Sequence, residues 1–322
     1  MNLNRRGAIA LLGAIASTSS LAQAQTGSIK IVVPFPPGQG ADLIMRMIAE
    51  PLSKRLNQSV IVDNRPGAGG ALGTEYVKNQ PADGLTLLMG SSGTLSISPT
   101  LQPQAARYNP LTDFEPITGV AAVAQAFVVP ANSPYKDLKS FIDAAKANPG
   151  KLSFGSSGNG TTQHLFVEAF AHAAGIKLLH VPYKGGTLAF NDMMGGQINM
   201  LPDTIPAISQ HIKAGTVRAL GVTSSARSPL MPDVPTIAEQ GLRGYFAEGW
   251  ITIVAPAGLA PAQADRLDRE IRAVMADPSF SSKIREMGFV EMKVSREPLR
   301  GFIASELAKW KTVIAAAGVK VD

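Results

Sequence analysis

Short β-branched runs that end in glycine-rich loops, each loop opening onto a helix-like stretch, constrain this chain more than any other feature. Ser28–Phe35 (SIKIVVPF) runs into Pro-Pro-Gly-Gln-Gly, and Ala41–Leu56 follows with Leu43, Ile44, Met47, Ile48, Leu52 and Leu56 on one helical face. Pro51 marks either a kink or the last turn of that helix. Ser59–Asn64 is a second strand, Arg65–Gln80 a glycine loop entering a helix, and Gly84–Gly93 a third strand with its loop. Strands alternating with helices predict an α/β fold, a parallel sheet covered on both faces.

The pattern then restarts. Ala124–Ser133 reads as a strand and Lys136–Gly150 as a helix closed by Pro-Gly. Lys151–Gly175 is a strand, a glycine loop and a helix. Lys177–Gly186 is a strand, Thr187–Asp203 a helix and strand, and Val217–Ser224 a strand. Gly249–Ser279 repeats the strand-Pro-Ala-helix layout of Ala124–Gly150, and Glu297–Ala317 is an amphipathic helix stopped by Gly318. Two α/β halves follow, and the recurrence near Gly249 predicts a chain that crosses into the second half and returns.

Of the 322 residues, 45% are hydrophobic and 17% charged, ample apolar surface for a core, and the length fits two domains or one large one. The net charge of +6 and pI near 9.5 come from scattered Lys and Arg, without a basic stripe interleaved with aromatics, so nucleic acid is not an expected partner. A mild positive field favours encounter with anions. Arg5 and Arg6 precede an apolar stretch of small residues to Leu21, with Ala22 and Ala24 at the −3 and −1 positions of a cleavage site. This predicts a signal peptide over residues 1–24 and a periplasmic protein, by a general or a twin-arginine route. Removing both arginines leaves 28 basic against 24 acidic residues, a charge of +4. With zero cysteines the chain has neither disulfide nor thiol nucleophile.

The loops carry the candidate chemistry. Gly90-Ser91-Ser92-Gly93 and Gly155-Ser156-Ser157-Gly158 share a tetrapeptide, and each follows a strand. Glycine permits close backbone approach, serine adds a hydroxyl, and the following helix presents free N–H groups suited to a carboxylate. Asp42 and either Thr161 or Thr162 are expected N-caps. The opening loop contains no lysine, so it fits a carboxylate better than a polyphosphate. Phe35, Pro36 and Pro37 form a stiff lip beside Gly38, Gln39 and Gly40. No G-x-S-x-G elbow, dinucleotide fingerprint, phosphate loop or zinc spacing of histidines occurs, so no catalytic centre, metal or cofactor is expected. His164 lies in the first turns after its loop, where it can point at a ligand. Asp203 is either a helix cap or a polar group facing the crevice.

Seven segments in order resemble the Bug-type substrate-binding proteins of tripartite tricarboxylate transporters: IVVPFPPGQGADLIMRMIAE, VIVDNRPGAGGALGTEYV, ADGLTLLMGSSGT, FGSSGNGTTQHL, HVPYKGG, PDVPTIAEQG and WITIVAPAGLAP. The resemblance runs from about Ile29 to the C-terminus. It implies a two-lobed periplasmic binding protein, type II-like, with two hinge crossings. Residues 25–125 and 226–322 would form lobe 1 and residues 126–225 lobe 2. It also implies a small di- or aromatic carboxylate ligand, delivery to integral membrane transporter subunits, a monomer, and no enzymatic activity. Carried over, the ligand contacts are Phe35, Gly38, Gln39, Gly40, Ala41 and Asp42, then Ser91 and Ser92, then Ser156, Gly158, Asn159, Thr161, Thr162 and His164, extending to Lys184 and Asp203. Gln39 and Ala41 depart from the family pattern, so the ligand's identity does not carry over. Arg65 is not assigned to the site. A secreted α/β hydrolase and a ligand-reporting protein for a sensor kinase are the alternatives. The missing nucleophile elbow weighs against the first.

Overall fold

The structure is a computed structural model and describes residues 27–320; the expected signal peptide lies outside them. β1 (Ile29–Val33) lies one strand in from the sheet edge, between the edge strand β2 (Val60–Asn64) and β3 (Thr86–Ser91), and is parallel to both. The crossover from β1 to β2 is α1 (Gly40–Leu56), which buries Ile44, Met45, Ile48 and Leu52. Pro51 sits inside α1, and the helix continues past it until Asn57 turns left-handed at φ 50°. A short turn at Ala68–Gly70 leads into α2 (Ala71–Lys78), and a helical segment with α3 (Ser98–Leu101) follows β3.

The sheet is mixed rather than parallel. β4 (Phe114–Pro130) is a single strand of 17 residues, far longer than its predicted second half. Its first part pairs antiparallel with β9 (Glu248–Pro256), which is itself antiparallel to β3. From Gln125 onward β4 pairs instead with β7 (Leu201–Thr204) and β8 (Val217–Val222). One strand therefore serves two sheets, and the returning β9 must run against it. The two crossings lie side by side, Ala124 opposite Glu248. Register shifts near Pro116, Gly119 and Phe127 absorb the extra twist of so long a strand.

The second half places α4 (Leu138–Ala147), α5 (Thr162–Ala174), α6 (Gly186–Met194) and α7 (Ile205–Lys213) around β7, β8 and the parallel pair β5 (Ser153–Ser156) and β6 (Leu179–Pro182). α8 (Pro261–Met275), α9 (Pro278–Glu286), the short β10 (Val290–Glu291) and α10 (Arg296–Ala317) complete the chain.

Separate cores serve the two halves. Ile31, Ile44, Ile48, Ile253, Leu267 and Ile271 pack in the first. Phe127, Phe141, Phe154, Phe166 and Phe170 pack in the second. Each such side chain contributes about 1.5–3 kcal/mol on burial. α10 joins both: Leu299 and Ile303 lie beside Trp250, while Trp310 stacks on Phe166 at 5.3 Å.

Candidate ligand-binding site

The first loop is tied down by its own acid. Asp42 is not the N-cap of α1; Gln39 holds that position at φ −76° and makes no side-chain cap. Asp42 instead stands in the first turn, 1% exposed. Its carboxylate accepts the Gly38 N–H at 2.8 Å, Arg46 Nε–H at 3.0 Å and Asn64 Nδ2–H at 2.8 Å. Asn64 also donates to the Phe35 carbonyl. Burial pushes the Asp42 carboxyl up, but Arg46, Gly38 and Asn64 together hold it below its usual range. Gly38 reaches φ 84° there, which favours glycine. Its N–H is thus used within the loop. The donors left to a ligand are those of Gly40 and Ala41 in the first helical turn and the exposed Gln39 amide. Asn64 was the unrecognised member of this loop; it follows β2 but braces the lip after β1.

The second loop is braced in the same manner. Thr161 is the N-cap of α5, accepting the His164 N–H and donating to the Gly158 carbonyl at 2.8 Å. Ser156 Oγ accepts the Gly158 N–H at 3.1 Å, Gln163 Oε1 accepts the Ser157 N–H at 2.7 Å, and His164 Nδ1 accepts the Gly160 N–H at 3.1 Å. Gly158 sits at φ 136°. Ser156 and His164 thus hold the loop from behind, His164 stacked on His180 with centroids 3.6 Å apart. Exposed Asn159 and half-buried Thr162 are the positions free to offer N–H groups outward.

A polar floor connects the loops. Phe35 and Thr94 both border Gly70, where a β-carbon would fall 3.4 Å from the Phe35 ring and closer still to Thr94. Thr94 Oγ1 accepts the Ser91 N–H at 3.1 Å. A β-carbon on Gly249 would lie 3.9 Å from Ser92 Oγ and 3.2 Å from Val123, so glycine there keeps the floor low. Two residues along β4, Gln125 Nε2 donates to Thr162 Oγ1 at 3.1 Å. Gln163 Nε2 donates to the Pro202 carbonyl at 2.9 Å, beside Asp203. Pairwise contacts therefore run from Phe35 at the first loop by Thr94 to Ser91, and from Ser92 by Gly249 and the crossing strand to Thr162 and Pro202. Thr94, Gln125, Gln163 and Gly249 were not among the predicted site residues. Gln125 and Gly249 lie within strands, where sequence marks only sheet. Lys184 is exposed, on the turn before α6, and pairs with no acid among the described residues. Arg65 stacks over the Tyr76 ring at 3.6 Å and pairs with Asp63, away from the lining. A groove of 820 Å³ between α1, α8 and α9 shares no residue with either loop.

Two braced loops, each opening a helix, and a double strand crossing between the halves are thus features of one fold. Residues 44–319 match the "Tripartite tricarboxylate transporter family receptor" profile. The chain belongs to that family. The receptor is 38% identical over 320 residues to a UPF0065 protein from the tcbD-tcbE intergenic region of a Pseudomonas species, covering 97% of this chain and 94% of that one. It is 33% identical to protein BugT of Bordetella pertussis, with both chains covered in full. The solved structure of Rpa4515 of R. palustris with adipate superposes with a TM-score of 0.76 at 32% identity, covering 92% of this receptor and 99% of that chain. The family consists of two-lobed periplasmic substrate-binding receptors, not enzymes.

One contact in the receptor has the look of a nucleophile and its base: Ser156 Oγ lies 2.6 Å from His180 Nε2. Ser156 is 0% exposed and its hydroxyl is already engaged with Gly158, so no substrate carbonyl reaches it. Burial, and next to it His164, pushes His180 down to about 4, so it is neutral at physiological pH. The pair fixes the loop. Among the described residues, no helix is long and apolar enough to cross a membrane.

Proposed function

We propose that this receptor captures a small carboxylate between the Gly38–Asp42 and Ser156–Thr162 loops and delivers it to integral membrane transporter subunits. The observation that carries this reading is the pair of braced loops, each opening a helix and neither containing Lys or Arg. Helix-terminal N–H groups and dipoles then supply the attraction, and charge-assisted bonds of this kind contribute about 1.5–3 kcal/mol each. The adipate in the structure of Rpa4515 agrees with this chemistry. Residues 25–125 with 226–322 form one lobe and 126–225 the other, with the hinge at the paired crossings of β4 and β9. The protein is exported to the periplasm with residues 1–24 removed, and it acts as a monomer.

A thermal-shift panel of mono- and dicarboxylates, aliphatic and aromatic, tests the proposal. A ligand at about 100 times its Kd stabilises by about 2.7 kcal/mol. Calorimetry on the best acid and its fully amidated form then decides the anion requirement. Equal affinity for the two would refute the carboxylate reading.

A further inference from the structure

The second loop depends on one imidazole nitrogen being bare. A backbone N–H can only donate, so the 3.1 Å bond from the Gly160 N–H to His164 Nδ1 places the proton of the neutral ring on Nε2. His164 is 5% exposed, and its own backbone N–H is the one that the Thr161 cap receives, so ring and loop are held in one register. Gly160, at φ 74°, immediately precedes that cap. A proton arriving at Nδ1 turns this acceptor into a donor and sets N–H against N–H.

The surroundings decide where such a proton goes. Glu168 Oε1 lies 3.6 Å from His164 Nε2, one turn along α5, and makes no other ion pair among the described residues. His172 and Lys177 share a surface depression with Glu168 without pairing with it. From β6, His180 stacks on the His164 ring at 3.6 Å and 11° from parallel, and from β5 the Phe154 ring stands at 6.1 Å. His180 is held down to about 4 and is bonded through Nε2 to Ser156 Oγ. Two imidazoles in face contact repel as cations, so the pair takes up one proton well before a second. The Glu168 carboxylate directs that first proton to His164.

We infer that His164 is the positioning residue of the second loop and that proton uptake by its ring releases Gly160, so that the loop is assembled in neutral solution and loosened in mildly acidic solution. The consequence for function rests on the carboxylate reading above: capture of an acid weakens as pH falls. The sign follows from linkage, because the proton binds the loosened loop better than the assembled one and an acid that needs the assembled loop must expel it. The charged ring does not attract the ligand instead, since Nδ1 faces Gly160 and Nε2 faces Glu168.

NMR on the isotope-labelled, ligand-free protein tests this by following the His164 ring and the Gly160 amide from about pH 8 to about pH 5. Measured against the intrinsic exchange rate at each pH, the Gly160 amide should lose about tenfold in hydrogen-exchange protection, with the same midpoint as the ring. His164→Asn places an amide oxygen where Nδ1 stood and cannot titrate; shown to be folded by circular dichroism, it should keep its protection across the range. The inference is overturned if the ring takes up no proton there, if it titrates without a change at Gly160, or if folded His164→Asn shows the wild-type loss. The wild-type titration decides by itself should the variant not fold. Calorimetry with succinate, adipate and benzoate over the same range separates this result from the carboxylate reading. An acid that binds should lose about tenfold more affinity toward pH about 5 in the wild type than in His164→Asn, a comparison that removes the acid's own titration. Equal losses in the two proteins would also overturn the inference. If none of the acids binds while Gly160 behaves as expected, the carboxylate reading fails and the role of His164 in the loop stands.

Discussion

At the scale of single residues, the loops are held by side chains that a ligand need never touch. Asp42 collects three donors from three directions, and an asparagine there would oppose at least one of them with its own N–H. Asp42→Asn should therefore destabilise the fold by about 1.5–3 kcal/mol, the cost of breaking a buried charge-assisted network. It should also weaken ligand binding, because Gly38 loses its anchor. Urea unfolding and a titration of the best acid measure both effects, and wild-type values for stability and affinity would remove Asp42 from this role. Gly158 carries a different constraint. A β-carbon there meets nothing closer than 3.7 Å, yet φ 136° is unfavourable for any L side chain. Gly158→Val acts through the backbone and should disturb the loop without disturbing the core.

Among the elements, the turn from α9 to β10 does more than link a helix to a strand. Phe289 packs against Gly40 of the first loop, where a β-carbon would meet its ring at 3.0 Å. Next to it, any β-carbon on Gly288 would collide with Pro206 in the first turn of α7. This turn thus bridges the first loop and the segment after Asp203. Gly288→Ala should hold the two halves apart and weaken binding about tenfold or more, while costing on the order of 1 kcal/mol in stability from its left-handed φ. Small-angle scattering should show no contraction of the variant at saturating ligand. Contraction equal to that of the wild type would exclude the turn as a closure contact.

Over the whole molecule, α10 ties the halves together behind the crossings. Trp250 and Trp310 both donate their Nε1–H to Glu306, at 3.0 and 3.2 Å, and Lys309 pairs with the same carboxylate. Glu248, opposite Ala124 where the strands cross, faces this cluster. Burial pushes it up to about 7; Lys309 opposes that shift and Glu306 adds to it. A carboxyl raised in the folded state binds more protons folded than unfolded, so it lowers stability as pH rises from its unfolded value through 7. Glu248→Gln should raise stability at pH about 8 by at most about 3 kcal/mol, and the gain should fade by pH about 5. His180 works in the opposite sense: lowered to about 4, it removes stability as pH falls from its unfolded value toward 4. The two slopes oppose one another in mildly acidic solution. Melting temperatures of wild type and variant across pH check this, and an equal gain at both ends would rule out titration of Glu248 as its source.

Period and punctuation in the sequence determined the α/β class, the helices from Gly40, Leu138, Thr162, Pro261 and Arg296, and the two glycine loops, because these depend on residues close together in the chain. The ordered motifs determined the family for the same reason. The tertiary structure alone decided that β4 runs unbroken through both sheets, since Glu115, Pro116 and Gly119 interrupt the strand pattern of Phe114–Val123 and only β9 lying beside it supplies the pairing. It also decided which donors remain for a ligand. Gly38, Ser157, Gly158 and Gly160 all look available in sequence, yet Asp42, Gln163, Ser156 and His164 take their N–H groups. Neighbours two to six residues away assign those bonds, but only the packing of Asn64, His180 and Gln125 against the loops, from 22 to 37 residues distant, fixes the side chains in place to do so.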